Sequence, residues 1–295
     1  VRLLVVGREG QVARSLREAA AGENDLVLHS VGRSDADLLR PGTVTAAISQ
    51  FHPDIVVNAA AYTAVDKAED EPDFAFAINR DGAGEVAAAA ASEHVPVIHF
   101  STDYVFDGRK SGPYEERDEP NPQNVYGRSK LEGERAVMLA NSRHIVLRTS
   151  WVYAPFGSNF VRTIWRKLVA GELLRVVNDQ TGCPTYAPDL ARATIMMARQ
   201  VVRTGWRSDY SGITHIAGPD ALTWYDFARL IEMKRDDRPA QANEIVPVAT
   251  AEYPVRAIRP KNSCLSTKRL HSVFDIRLPA LQTSLDDCLA RISQE

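Results

Sequence analysis

Cysteine is scarce in this chain of 295 residues: Cys183, Cys264 and Cys288 are odd in number, scattered and without metal-ligand spacing. That excludes a disulfide framework and a cysteine-held metal, and leaves three reduced small side chains. Charge of one sign is lacking too. Lys and Arg total 35 against 38 Asp and Glu, a formal net charge of -3 with no basic run. Neither a nucleic-acid polymer nor an anionic membrane surface is therefore an expected partner. Apolar stretches are short and broken by charge, and the first residues already read as a strand. Neither a signal peptide nor a membrane span is expected, and a cytoplasmic location follows as the default.

What is present alternates. VRLLVVG, DLVLHSVG, DIVVNAA, VPVIHFST and HIVLRTS are short runs rich in β-branched residues, separated by helix-favouring segments such as GEVAAAAASEH. Such alternation predicts βαβ units and an α/β fold with a doubly wound parallel sheet. The length suits one large α/β domain or two, with the first expected over 1–150. From Trp151 the regularity weakens, and glycines and prolines between Pro155 and Pro260 break the chain into short elements. That pattern suits a smaller, mixed domain closing over a ligand.

The amino-terminal strand runs into Gly7-Arg8-Glu9-Gly10-Gln11-Val12-Ala13. Gly7 suits a tight turn, Gly10 lets backbone amides approach a pyrophosphate with Gln11 and Val12 beside it, and Ala13 permits close helix-to-strand packing. The spacing is looser than G-x-G-x-x-G, so its position directly after the first strand is what marks a phosphate loop. The second strand ends His29-Ser30-Val31-Gly32-Arg33, with the nearest acid, Asp35, beyond the arginine. An arginine there suits a 2′-phosphate, which favours NADPH with NADH as the other candidate; a solvated turn is the plain alternative for Arg33.

Chemistry-bearing residues follow. VIHFSTDYVFDG stops at Ser101-Thr102-Asp103, and strand carboxyl ends face the ligand crevice of an open parallel sheet. Thr102 is thus either a donor to a reacting oxygen or a hydroxyl capping the strand end. In NPQNVYGRSKLEGE, Tyr126 and Lys130 stand four apart, on one face of a helix. A phenol with a reference pKa of about 10 is a poor acid at neutral pH, and a cationic amine beside it pulls that value down.

Together these residues resemble the extended short-chain dehydrogenase/reductase superfamily, with its Rossmann-like sheet. NAAAYTAVDKAE at 58–69, STDYVFDG at 101–108, NVYGRSKLEGE at 124–134, RTSWVYAPFGSNF at 148–160, NDQTGCPT at 178–185 and RPKNSCL at 259–265 look like the dTDP-4-dehydrorhamnose reductase family. That resemblance implies reduction of dTDP-4-dehydro-6-deoxy-L-mannose by hydride from NADPH or NADH, with Tyr126 as acid. Lys130 would lower the tyrosine pKa and hold the nicotinamide ribose, and Thr102 would hydrogen-bond the reacting oxygen. Asp37 and Leu38 would contact adenine, Ala61, Tyr62 and Thr63 would pass beside the cofactor, and Asp103 and Trp151 would line the sugar site, although a lone tryptophan is equally a core residue.

The resemblance also implies a discontinuous division, with about 186–215 rejoining residues 1–150, and 151–185 with 216–295 forming the substrate-binding region. The related 4,6-dehydratases carry glutamate after Thr-Asp; Tyr104 stands there instead, which favours a reductase. Epimerases share the tyrosine, lysine and threonine. The regulatory subunit of methionine adenosyltransferase looks like this family as well, so a non-catalytic binding protein is the alternative from another class. Ala13 replaces the usual loop glycine. Ser15 stands near where some members carry a glutamate for magnesium, so no metal site is assigned. A monomer or homodimer is expected.

Overall fold

The β-branched runs become strands, and the segments between them helices. In the computed structural model, which describes residues 1–235 and 244–294, the order begins β1 (Arg2–Val6), α1 (Gln11–Ala20), β2 (Val27–Val31), α2 (Thr43–Phe51) and β3 (Ile55–Asn58). Next come α3 (Val65–Ala68), α4 (Pro72–Phe76), a π-helical turn (Ala77–Gly82), α5 (Ala83–Ser92), β4 (Val97–Thr102), α6 (Val125–Ala140) and β5 (His144–Thr149). The second half supplies β6 (Val152–Tyr153), α7 (Phe160–Val169), β7 (Leu174–Val177), β8 (Thr181–Gly182), β9 (Thr185–Tyr186), α8 (Ala187–Thr204) and β10 (Gly212–His215). It ends with β11 (Leu222–Thr223), α9 (Trp224–Met233), β12 (Ile245–Val248), α10 (Lys268–Phe274) and α11 (Leu281–Ile292).

Six strands form one sheet in the order β10-β5-β4-β3-β1-β2, and every pairing in it is parallel. From β1 the chain passes outward to β2 and returns across to β3, so the strand order reverses between β1 and β3. Such a reversal opens a crevice at the carboxyl ends. Successive side chains alternate across a strand, and both faces here are apolar. Leu3, Val5, Ile98 and Leu147 pack with residues of α1, α8 and α10, whereas Leu4, Val6, Val56 and Val146 pack with α2, α5 and α6. The alanines of α5 have almost no side-chain bulk, which lets that helix fit between its neighbours.

A second apolar cluster gathers Ile164 of α7, Val176 of β7, Phe227 of α9, Ile245 of β12 and Leu285 of α11. Both α8 and β10 return to the large sheet, and so does α10, although it lies within 216–295. Among the described residues no helix is long and apolar enough to cross a membrane. All three cysteines are buried and free.

Two kinds of contact lock α6 to the sheet. A Cβ on Gly127 would lie 2.2 Å from the Tyr104 carbonyl oxygen, and one on Gly133 would lie 2.0 Å from that of Asn79, so only glycine fits at either position. One turn beyond Lys130, the fully buried Glu134 carboxylate accepts from Arg148 Nε at 2.8 Å and Nη2 at 2.6 Å, and from the Ser101 hydroxyl. This ties α6 to β4 and β5 together. Breaking a buried pair from one side strands an uncompensated charge. Arg148→Met should therefore cost about 3–5 kcal/mol in urea unfolding, and the added change Glu134→Leu should recover much of it.

Candidate active site

Thr102 is the last residue of β4, and a single helical turn, Asp103–Val105, follows it. Across from it α6 begins at Asn124, whose Oδ1 accepts from Gly127 N at 2.7 Å and whose Nδ2 donates to Ile258 O at 2.8 Å. This cap fixes the first turn, and with it Tyr126. Thr102, Tyr126 and Lys130 thus line one cavity of about 550 Å3 at the carboxyl ends of the strands. Thr102 Oγ1 donates to Asp103 Oδ1 at 3.0 Å.

Burial dominates the electrostatics here. It pushes the Tyr126 phenol up to about 12, with the Thr102 hydroxyl opposing and the Asp103 charge adding to the rise. That net rise runs opposite to the lowering expected from Lys130. Lys130 Nζ donates to Phe100 O at 2.6 Å and lies 3.3 Å from His99 Nε2, on the sheet side of the cavity. Burial lowers Lys130 itself to about 8, against the pull of Glu134. Asp103 is buried and raised to about 6, and its Oδ2 has no hydrogen-bond partner among the described residues.

A cavity of about 470 Å3 adjoins the first, since Glu9, Gly10, Ala59 and Ala61 line both. Gly7 has φ of 119°, and a Cβ on it would lie 3.2 Å from the Ala59 backbone. Gly10 caps α1 with no side chain, so the first amides of that helix stay open to the cleft, a ready cradle for a pyrophosphate. Val12 and Thr63 line the larger cavity; Arg33, Asp37 and Leu38 line the smaller, with Arg33 exposed on its rim. Gln11 lines the cleft and also accepts from Asn159 Nδ2 at 2.9 Å, tying α1 to the second half.

Tyr62 turns its ring away from the cleft. Its ring lines neither cavity but sits edge-on to Phe74 in a separate apolar cluster, because Asn79 grips its backbone from both sides: Oδ1 accepts from Tyr62 N and Nδ2 donates to Tyr62 O. Only its backbone lies along the loop. Arg8, which lines the smaller cavity beside Arg33, was passed over in the sequence; it is paired with Asp35 and donates to Ser30 O at 3.1 Å.

Trp151 lines the larger cavity with φ of 47°, and its indole stacks on Trp224 at 3.4 Å and 6°. A Cβ at Gly182 would lie 2.2 Å from the Trp151 ring, so glycine makes room for it. Trp224 also lines a third cavity of about 300 Å3 with Lys167, Arg175, Gln180 and Arg259. Arg259 pairs with Asp66 at 2.7 Å and lies near Tyr104, whose ring meets Tyr126 edge-on at 5.8 Å. The RPKNSCL segment holds Arg259, but nothing in the sequence pattern marked Trp224.

The family model of the RmlD substrate binding domain matches residues 1–294. The dTDP-4-dehydrorhamnose reductase of Sinorhizobium fredii is 46% identical over 284 residues, covering 96% of this chain and 95% of that one. The chain belongs to the dTDP-4-dehydrorhamnose reductase family. A crystal structure of a family member from Clostridium acetobutylicum superposes with a TM-score of 0.89 at 34% identity, covering 99% of this chain and 100% of the other. A Bacillus anthracis reductase in complex with NADP gives 0.88 at 31% identity, over 98% of each.

Within this family the chain's departures have local causes. Ala13 is fully buried, where its small size suits the contact between α1 and the sheet. Ser15 is buried on the inner side of α1 with an unpartnered hydroxyl. Asp103 gives a test of the site's electrostatics. Its folded pKa lies above the ordinary carboxylate value, so it contributes less stability as pH rises through about 4 to about 6. Asp103→Asn should accordingly be more stable than the parent by up to about 3 kcal/mol near pH 7, with the advantage fading as pH falls toward about 4 in urea titrations.

Proposed function

We propose that this chain reduces dTDP-4-dehydro-6-deoxy-L-mannose, the dTDP-6-deoxy-L-lyxo-4-hexulose, to dTDP-L-rhamnose, the last step of dTDP-rhamnose biosynthesis. The observation that carries the reading is Thr102, Tyr126 and Lys130 on the wall of one cavity that runs into the open amino terminus of α1. When bound there, NADPH supplies the hydride for the 4-keto carbon. The glycine cradle fits a dinucleotide, since Gly10 lines both adjoining cavities with open space where a side chain would stand.

Tyr126, held above its ordinary value, carries its proton at neutral pH and gives it to the carbonyl oxygen. Thr102 steadies the same oxygen as charge develops, a contribution on the order of a few kcal/mol. Lys130 orients the nicotinamide ribose and Arg33 meets the 2′-phosphate, which makes NADPH the preferred donor and NADH the lesser one. Asp103 and Trp151 line the sugar, and the cations at Lys167, Arg175 and Arg259 suit the diphosphate end of the substrate. Tyr104, packed on Tyr126, supplies no carboxylate for an elimination. The sheet with α8 and β10 acts as the cofactor portion and the α7–α9–α11 cluster as the substrate portion, in a cytoplasmic monomer or homodimer.

Three measurements test this. Given the hexulose and NADPH, the protein should form dTDP-L-rhamnose with one NADPH consumed per sugar, and it should release no 4-keto product from dTDP-glucose; water loss from dTDP-glucose would overturn the reading. Tyr126→Phe keeps the ring and removes the proton, so reduction should fall by about 10²-fold or more while cofactor affinity survives. Arg33→Ala should weaken NADPH more than NADH, because only NADPH offers a phosphate to the guanidinium. Equal losses for both would return Arg33 to the solvated turn residues.

A further inference from the structure

Behind Lys130 lies a buried polar chain that the proposed chemistry leaves unused. Asn58 at the end of β3 and His99 in β4 are 1% and 0% exposed. Ala60 N–H can only donate, and it donates to Asn58 Oδ1 at 3.2 Å. The amide nitrogen of Asn58 therefore faces His99 Nδ1, 3.2 Å away. An amide NH2 has hydrogens but no lone pair to offer, so Nδ1 must be the acceptor. Burial holds the imidazole neutral, far below its ordinary value. A neutral imidazole carries one hydrogen, which this geometry leaves on Nε2, pointing at Lys130 Nζ 3.3 Å away.

Two donors then face each other if Lys130 is an ammonium, whereas a neutral amine offers Nε2–H a lone pair. We propose that His99, fixed in its Nε2–H tautomer by Asn58, is a positioning residue that weakens Lys130's hold on its proton, so that the lysine resupplies Tyr126 during turnover instead of remaining a fixed charge. The inference rests on the proposed reduction for its role in turnover, though not for its effect on the lysine. Tyr126 gives its proton to the carbonyl oxygen and becomes phenolate; a proton leaving Lys130 restores the phenol, the neutral amine left behind accepts from His99, and a proton from solvent entering the emptied cavity returns the amine to ammonium before the next turnover. The other titratable groups nearby are Glu134 on α6, which favours the ammonium but is engaged by Arg148 of β5, and Tyr126 with Asp103 at the cavity mouth. Phe100 O accepts from Lys130 in either state.

The test reads Lys130 and His99 directly, in the full chain labelled with 13C-lysine and 15N-histidine. Nitrogen shifts should report Nε2–H for His99, and the Lys130 Cε resonance should titrate near 8 in the parent. In His99→Phe the Lys130 midpoint should rise by about one unit, a tenfold gain in proton affinity, and the alkaline limb of kcat should rise with it while KM for the sugar nucleotide stays within about twofold. An unmoved or lowered midpoint overturns the proposal.

Asn58→Asp gives a second route should His99→Phe not fold. Its carboxylate accepts from Nδ1–H and so reverses the tautomer, which should raise the midpoint; an Nδ1–H tautomer already present in the parent overturns the proposal. Where His99→Phe folds, Asn58→Asp should add little in that background, and an equal rise with and without His99 means that the imidazole is not the transmitter. Failure of the parent to reduce the hexulose would instead sink the proposed reaction and leave the titration of Lys130 as it was.

Discussion

The buried pair of Glu134 and Arg148 is the constraint on which the site's geometry depends. Tyr126 and Lys130 have their spacing from the helix itself, but their distance from Thr102 is set by how closely α6 lies on the sheet. Glu134 fixes that distance by reaching Ser101 on β4 and Arg148 on β5 at once. Gly127 and Gly133 remove the bulk that would hold the helix away. Charge and small size thus act in opposite ways on the same contact, one pulling and the other clearing space. A buried pair of this kind is weak evidence for stability, and here its clearer contribution is to register.

Much of the sheet was legible in the sequence because each strand is a short β-branched run with a turn signal after it, and those properties are local. The triad of Thr102, Tyr126 and Lys130 was legible for the same reason: a strand end and a helical spacing are read within a few residues. What escaped were relations between distant segments. Nothing near Tyr62 says that Asn79 will grip its backbone and turn its ring away from the cleft. Nothing near Lys130 says that its amine will meet Phe100 O and His99 on the sheet side, and nothing near Tyr126 says that its own burial will push it upward. Trp224 escaped because its stacking partner, Trp151, lies in the distant link between β5 and β6, and α10 because its return to the sheet follows a long excursion through the second cluster.

The polar interior around the cleft has a cost that the apolar faces of the sheet must offset. Asp103, Lys130 and His99 are all shifted by burial in the direction that disfavours charge; near neutral pH the shifts of Asp103 and Lys130 are free energy taken from folding, whereas that of His99 costs stability only in acid, below the ordinary histidine value. The two packed faces, with their alternating valines, leucines and isoleucines, are where that energy is regained. Stability and reactivity are thereby assigned largely to different parts of the sheet: the middles of β1 and β3 are apolar on both sides, and the cleft's polar side chains gather at the carboxyl ends, with His99 in mid-β4 the buried exception.

The stacked indoles of Trp151 and Trp224 have an optical consequence. Two rings face to face at 3.4 Å and 6° couple their electronic transitions, so they absorb and emit as a pair rather than as two independent chromophores. The chain has only four tryptophans, which keeps the background from the rest of the molecule small. Since Trp151 lines one cavity and Trp224 lines two, anything that slides between or parts the rings changes the near-ultraviolet dichroism and fluorescence without any added label.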